Sequence, residues 1–497
     1  MSEASWGRFD GQMREICNLD RVISLLGWDE ETQLPGSAHA ARGRQLATVE
    51  AIRHQRLVAP DLGESLAALE SDRDLPATRR AAVRTMRRRR RLAERVPESL
   101  VKALAEARSP ALSAWQAARK NRDFATFRPH LERLLELVRE RGQALAVGGA
   151  SPYDALIDEL EPEMTQAKLR PIFARLRDRL VPLVREITAL ARPMPEIFHQ
   201  RFEIEKQREL GVAIIKELGF DFDRGRQDRS AHPFCESLGL DDVRMTTRFN
   251  EHDLIDSISS SIHEAGHAMY EQGFDRADDG TELAKAPGMG IHESQSRLWE
   301  NQIGRSRAFW VHALPLAARV FPEQLATATV DDAHWAVNVV RPSLIRVDAD
   351  EVTYNLHIIL RFELEEALIA GRLSVAELPA AWNENIRSLL GVAPAHDGEG
   401  CLQDIHWAGA AFGYFPSYTI GNIYAAQLLA AYERDHPRLW SDVESGRFAP
   451  LLGWLRENVH RRGQHESADA IIAQATGSGL DPQPFLDYLS RKFLKGS

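Results

Sequence analysis

The chain has 497 residues with 62 Lys+Arg against 72 Asp+Glu, and its net charge of −10 argues against a protein devoted to nucleic acid or an anionic membrane. With 44% hydrophobic and 27% charged residues it reads as an ordinary soluble globular protein, long enough for one large or two to three ordinary domains. Its three cysteines, Cys17, Cys235 and Cys401, lie too far apart for a disulfide framework or a Cys-x-x-Cys motif, and no apolar run reaches signal or membrane-spanning length, so a reducing, cytoplasmic, non-membrane setting is expected.

Ile16, Leu19, Ile23 and Leu26 recur at three- and four-residue steps, the period of an amphipathic helix with one buried stripe. Nine arginines between Arg79 and Arg95 occupy a further helical stretch. No aromatic residues are interleaved to stack bases, so this stretch reads as a solvated helix face offset by the acidic remainder of the chain. Leu131, Leu134, Leu135 and Val138 make another apolar stripe, and Leu176, Leu180, Val184 and Ile187 a third, which Pro182 is expected to kink or interrupt. A seam falls near Arg192-Pro193-Met194-Pro195, after which motif density rises. Period-two alternation is scarce, and Val243 to Phe249 is the clearest strand. The chain is therefore mainly α-helical with a small sheet near its middle.

Beyond that strand lies Ile262-His263-Glu264-Ala265-Gly266-His267-Ala268-Met269. In a helix, imidazoles four residues apart stack one turn above each other, where both can reach a single tetrahedral zinc ion. Glu264 sits beside that face and can reach a water at the metal without being a ligand, the arrangement metal-assisted peptide hydrolysis requires. The uncharged neighbours suit a helix buried beneath a cleft. A third ligand must come from a later element, and the best segment is Gly290 to Asn301, where His292 and Glu293 adjoin. Adjacent helical residues point about 100° apart, so only one of the two faces the metal, and spacing does not choose between them.

The chain resembles the Taq-type zinc carboxypeptidases, nearly end to end. The resemblance rests on His232-Pro233-Phe234, Asp242-x-Arg244-x-Thr246, the His263 to His267 motif, His292-Glu293-Ser294-Gln295, Ile345-Arg346-x-x-Ala349-Asp350 and Gly400-x-x-Gln403-Asp404-x-His406-Trp407. Gly27-Trp28-Asp29-Glu30-Glu31-Thr32 matches the family's opening more loosely. The resemblance implies Glu293 as third ligand, one zinc per subunit, and a homodimer. It also implies a large helical zincin-like fold with a deep groove and a small sheet beside the active-site helix, related to the angiotensin-converting-enzyme and neurolysin type. One catalytic domain over 1–497 is expected, with a helical lobe over about 1–192 and a catalytic lobe over about 193–497. Cys235 after His-Pro-Phe and Glu163, where a small residue is more typical, depart from the pattern.

Roles follow for the remaining candidates. Glu264 is the expected general base, with His406 and Tyr418 as donors to the oxyanion and Tyr414 as the alternative to Tyr418. Arg346 is expected to clamp the substrate's C-terminal carboxylate; its structural alternative is an ion pair with Asp348 or Asp350. Asp242 and Arg244 are expected to pin the strand beside the active helix, which as an edge strand would grip the substrate backbone, and His232 to line the cleft or cap a turn. The reading is a zinc carboxypeptidase of broad specificity acting on peptides, with cobalt or manganese as possible substitutes. An endopeptidase or dipeptidase on the same scaffold is the alternative, and a nucleic-acid-binding role for the arginine helix is disfavoured.

Overall fold

The computed structural model describes residues 3–190 and 193–496; Arg192, at the expected seam, lies outside the described residues. Four helices open the chain, α1 (Glu3–Thr32), α2 (His39–Val58), α3 (Pro60–Glu70) and α4 (Ala77–Arg95). They enclose a small core of their own, with Phe9, Met13, Ile16, Leu62, Leu66 and Met86 at its centre. The first expected stripe is only half used: Ile16 is buried, while Leu19, Ile23 and Leu26 are half-buried where α1 runs on past that core.

The arginines of α4 form only in part a solvated face: Arg80, Arg84 and Arg91 are exposed, while others reach into the fold. Arg90 is buried and donates to the carbonyls of Leu57 and Ala59. Arg88 reaches Asp158 at 2.7 Å, Arg95 the carbonyl of Leu145 at 2.9 Å, and Arg84 the carbonyl of His465 at 2.7 Å. Arg89 binds Asp20 at 2.6 Å and also contacts Glu282, while Lys285 binds the same two carboxylates at 3.0 and 3.1 Å. Burial would raise the Asp20 carboxyl, but Lys285 and Arg89 hold it well below the usual range. Cys17, Asp20 and Glu282 also come together like a ligand set, yet these two cations already neutralise their charge.

The body follows as α5 (Glu98–Asn121), α6 (Phe124–Leu145), α7 (Pro152–Leu160), α8 (Gln166–Thr188) and α9 (Ile204–Leu218). The apolar stripes of α6 and α8 are buried as their periodicity requires. Contrary to expectation, α8 runs unbroken through Pro182. A proline there forfeits one backbone hydrogen bond, and burial of Leu176, Leu180, Leu183, Val184 and Ile187 on both sides of it outweighs that loss.

The sheet comprises β1 (Gly225–Arg229), β2 (Cys235–Gly239) and β3 (Asp242–Thr247) in the order β1-β3-β2, with β1 parallel and β2 antiparallel to β3. The expected strand thus ends at Thr247 and is central, with its ladder engaged on both sides; the edges are β1 and β2. Helix α10 (Leu254–Glu271) starts at Asp253, whose carboxylate accepts from the amides of Ile255 and Asp256. Hydroxyls tie it to the sheet, Ser260 with Thr247 at 2.7 Å and Gln227 with Ser261 at 2.9 Å. Helix α11 (Met289–Arg297) continues into a π-helical turn, Leu298–Ile303. The later helices, among them Tyr354–Ile369 and Pro416–Asp435, pack into the main core.

Candidate active site

Helices α10 and α11 cross so closely that a Cβ on Gly266 would lie 2.6 Å from the Ser296 Cα and 2.7 Å from the Gln295 carbonyl oxygen. On the other side of α11, a Cβ on Gly421 would lie 2.6 Å from the Glu293 Cγ. Glu293 is therefore pressed between two helices and directed at the histidines. Its Oε2 lies 3.4 Å from His267 Nε2 and 3.9 Å from His263 Nε2, and the three donor atoms all fall within 4.8 Å of one another. Tetrahedral donors about 2.0–2.1 Å from an ion sit roughly 3.3–3.4 Å apart, so this donor set fits a divalent metal. His292 points elsewhere: its ring stacks on His267 at 4.5 Å and its Nε2 pairs with Glu271 at 2.9 Å.

Electrostatics suit the same purpose. Burial drives His267 down to about 3, so at neutral pH its imidazole is uncharged and free to coordinate. Burial would raise Glu293, but the guanidinium of Arg297, whose Nε donates to Oε1 at 2.7 Å, holds it well below the usual carboxylate range. Glu264 is 6% exposed. Burial pushes its carboxyl up to about 7, with His263 acting against this and Glu293 and Glu300 with it, which leaves a base poised near neutrality.

A second cluster carries the remaining candidates. Arg346 is buried, with Nε and Nη2 on Asp404 at 3.0 and 2.9 Å and Nη1 on the Tyr354 hydroxyl at 3.0 Å. Its ion-pair partner is thus Asp404, neither Asp348 nor Asp350. Arg361 binds the other Asp404 oxygen at 2.6 Å. His406 Nε2 lies 3.4 Å from the Tyr418 hydroxyl, and the Tyr414 and Tyr418 rings are 5.4 Å apart. Burial lowers His406 to about 4, opposed by Asp404, so the ring is neutral at physiological pH. Burial raises the Tyr414 and Tyr418 hydroxyls above the usual range, and the charge of Glu293 adds to the rise in both.

The remaining predicted residues lie around this centre. Arg244 pairs with Asp242 at 2.8 Å on β3, and its guanidinium lies over Trp28 of α1. Trp28 also packs on Phe234 at 5.2 Å, joining the chain's opening motif to His-Pro-Phe. His232 is exposed, with its carbonyl accepting from Ser230. Cys235 begins β2, and burial raises its thiol well above the usual range. Three residues escaped the sequence reading: Arg297, Glu300 and Arg305, which surround the ligands. The step of seven from Glu293 to Glu300, about 20° short of two helical turns, is the signal that points to Glu300.

Two imidazoles on one helix, a carboxylate from the next, and a poised glutamate beside them define a metallopeptidase. The chain belongs to the Carboxypeptidase Taq (M32) metallopeptidase family, whose model matches residues 8–493. Thermostable carboxypeptidase 1 of Thermus thermophilus is 40% identical over 503 residues, covering 99% of this chain and 98% of the relative. Carboxypeptidase 1 of Bacillus subtilis is 38% identical over 485 residues, covering 97% and 96%. The crystal structure of the M32 carboxypeptidase from Deinococcus radiodurans R1 matches with a TM-score of 0.97 at 41% identity, over 99% of both chains. The protein is a metal-dependent carboxypeptidase, a peptide hydrolase on a largely helical fold. No helix among the described residues is long and apolar enough to cross a membrane.

Proposed function

We propose that the protein is a zinc carboxypeptidase that releases single residues from peptide C-termini with broad preference, acting in the cytoplasm as a homodimer. The observation that carries this reading is the convergence of His263 Nε2, His267 Nε2 and Glu293 Oε2 with Glu264 alongside. A divalent ion held there would act as a Lewis acid toward the scissile carbonyl and an adjacent water. Glu264 takes the proton of the attacking water and passes it to the leaving amine. His406 and Tyr418 donate to the oxygen that gains charge, with Tyr414 beside them as the alternative donor. Arg346, already oriented by Asp404 and Tyr354, offers its remaining Nη hydrogens to the substrate's terminal carboxylate.

Metal analysis of the purified protein, together with product analysis on matched peptides bearing free and amidated C-termini, tests this. One zinc per chain and release of single residues from free C-termini alone are expected. Cleavage of amidated peptides would move the assignment to an endopeptidase on the same scaffold.

A further inference from the structure

Glu300 is buried, and its Oε2 lies 2.8 Å from His263 Nδ1, the ring nitrogen turned away from the other ligands. The same oxygen accepts from Arg297 Nη1 at 3.3 Å, and Oε1 accepts from Arg305 Nη2 at 3.0 Å. The pairing with Arg305 depends on backbone form. Residues five apart in an α-helix point about 140° apart, whereas a π turn brings them onto one face. The Gly304 amide donates to the Trp299 carbonyl at 2.8 Å, a five-residue step of that kind. A Cβ on Gly304 would lie 2.7 Å from the Glu300 carbonyl oxygen, so the turn also needs the glycine. His267 has no counterpart to this support: among the described residues its buried Nδ1 has no hydrogen-bond partner.

We infer that Glu300 is a positioning residue for the metal centre: held by Arg297 and Arg305 across the π turn, it accepts the His263 Nδ1 proton and so fixes the tautomer that presents Nε2 to the ion. This rests on the proposed ligand role of His263. Outer carboxylates of this kind orient the ring and raise its basicity, and their loss costs about 10–100-fold in metal affinity.

Zinc affinity is measured by chelator competition at fixed pH in the full-length protein and in Glu300→Gln, Glu300→Asp and Arg305→Met. Glu300→Gln is expected to raise the zinc dissociation constant about 10–100-fold, and Glu300→Asp, which keeps the charge but withdraws the carboxylate by one methylene, to raise it less. Arg305→Met removes one of the two cations that hold that carboxylate but keeps its bond to His263, so its dissociation constant should rise clearly less than in Glu300→Gln. Wild-type affinity in both Glu300 variants overturns the inference, as does an equal loss in Arg305→Met, which would assign the effect to the ion network as a whole. Failure of both Glu300 variants to fold makes Glu300 a structural residue and equally overturns it. A wild-type protein that binds no zinc stoichiometrically refutes instead the ligand reading beneath it.

Discussion

Around α10 and α11 the buried charges converge on one small volume, with Arg297 touching Glu293 and Glu300 while Glu300 touches His263. Along α4 several arginines reach out to separate places instead: Arg88 to Asp158, Arg89 to Asp20 and Glu282, Arg95 to the carbonyl of Leu145. The first arrangement places donor atoms; the second fastens a lobe with a small separate core to a much larger body. Charge is costly to bury in both places, and in both it is retained where a full set of partners is present. The two regions should therefore fail differently, one by losing activity and the other by losing stability.

The largest effect is expected from Glu264→Gln, with turnover reduced about 10²–10⁴-fold while metal content and melting temperature stay near wild type. Retained turnover would remove Glu264 from the chemistry. Arg89→Met should show the opposite profile, because Asp20 and Glu282 are then left to share Lys285, with Arg53 reaching Asp20 alone at 3.3 Å. Its folding free energy should fall by about 3 kcal/mol in denaturant titration, with zinc affinity unchanged. A loss of zinc affinity in that variant would show that the two regions are coupled. Gly421→Ala spans both modes, since its Cβ must displace Glu293; a stability loss of about 1–3 kcal/mol and weaker metal binding are expected together.

Acid and base should also report on the body before the lobe. Burial raises Glu161 and Glu365 from 4.5 to about 7, so their share of stability is lost as pH rises between those values. Burial lowers His357 to about 3 and His406 to about 4 from 6.5, so their share is lost as pH falls below 6.5. The metal-free protein should melt highest between about pH 4.5 and 6.5, and Glu365→Gln should flatten the alkaline side. Smallest is Glu163→Gly. Glu163 sits at φ 69°, the left-handed region that favours glycine, and relief of that strain should stabilise the fold by about 0.5–1 kcal/mol in denaturant titration.

What the sequence made legible follows the reach of periodicity. His263, Glu264 and His267 share a helix, so their spacing maps directly onto geometry. His292 and Glu293 are neighbours, and their separation was an angular matter that only family resemblance addressed; in the fold both flank the histidines, one stacking on His267 and the other aimed at its Nε2. The ties of α4 were hidden because their partners lie up to 381 positions away, as with Arg84 and His465. Pro182 misled for a related reason, since local propensity speaks of a kink and distant packing overrules it. Glu300 could be placed near Glu293 by its spacing, but its contact with His263, 37 positions away on another helix, could not be read from the sequence.

The close crossing at Gly266 is made between main-chain atoms, and that gives the centre a gauge. Side chains can swing, but the gap between the rungs that carry the histidines and Glu293 is set by two backbones already in contact. A single hydrogen atom in place of a methyl group thus lets the two ligand-bearing helices touch.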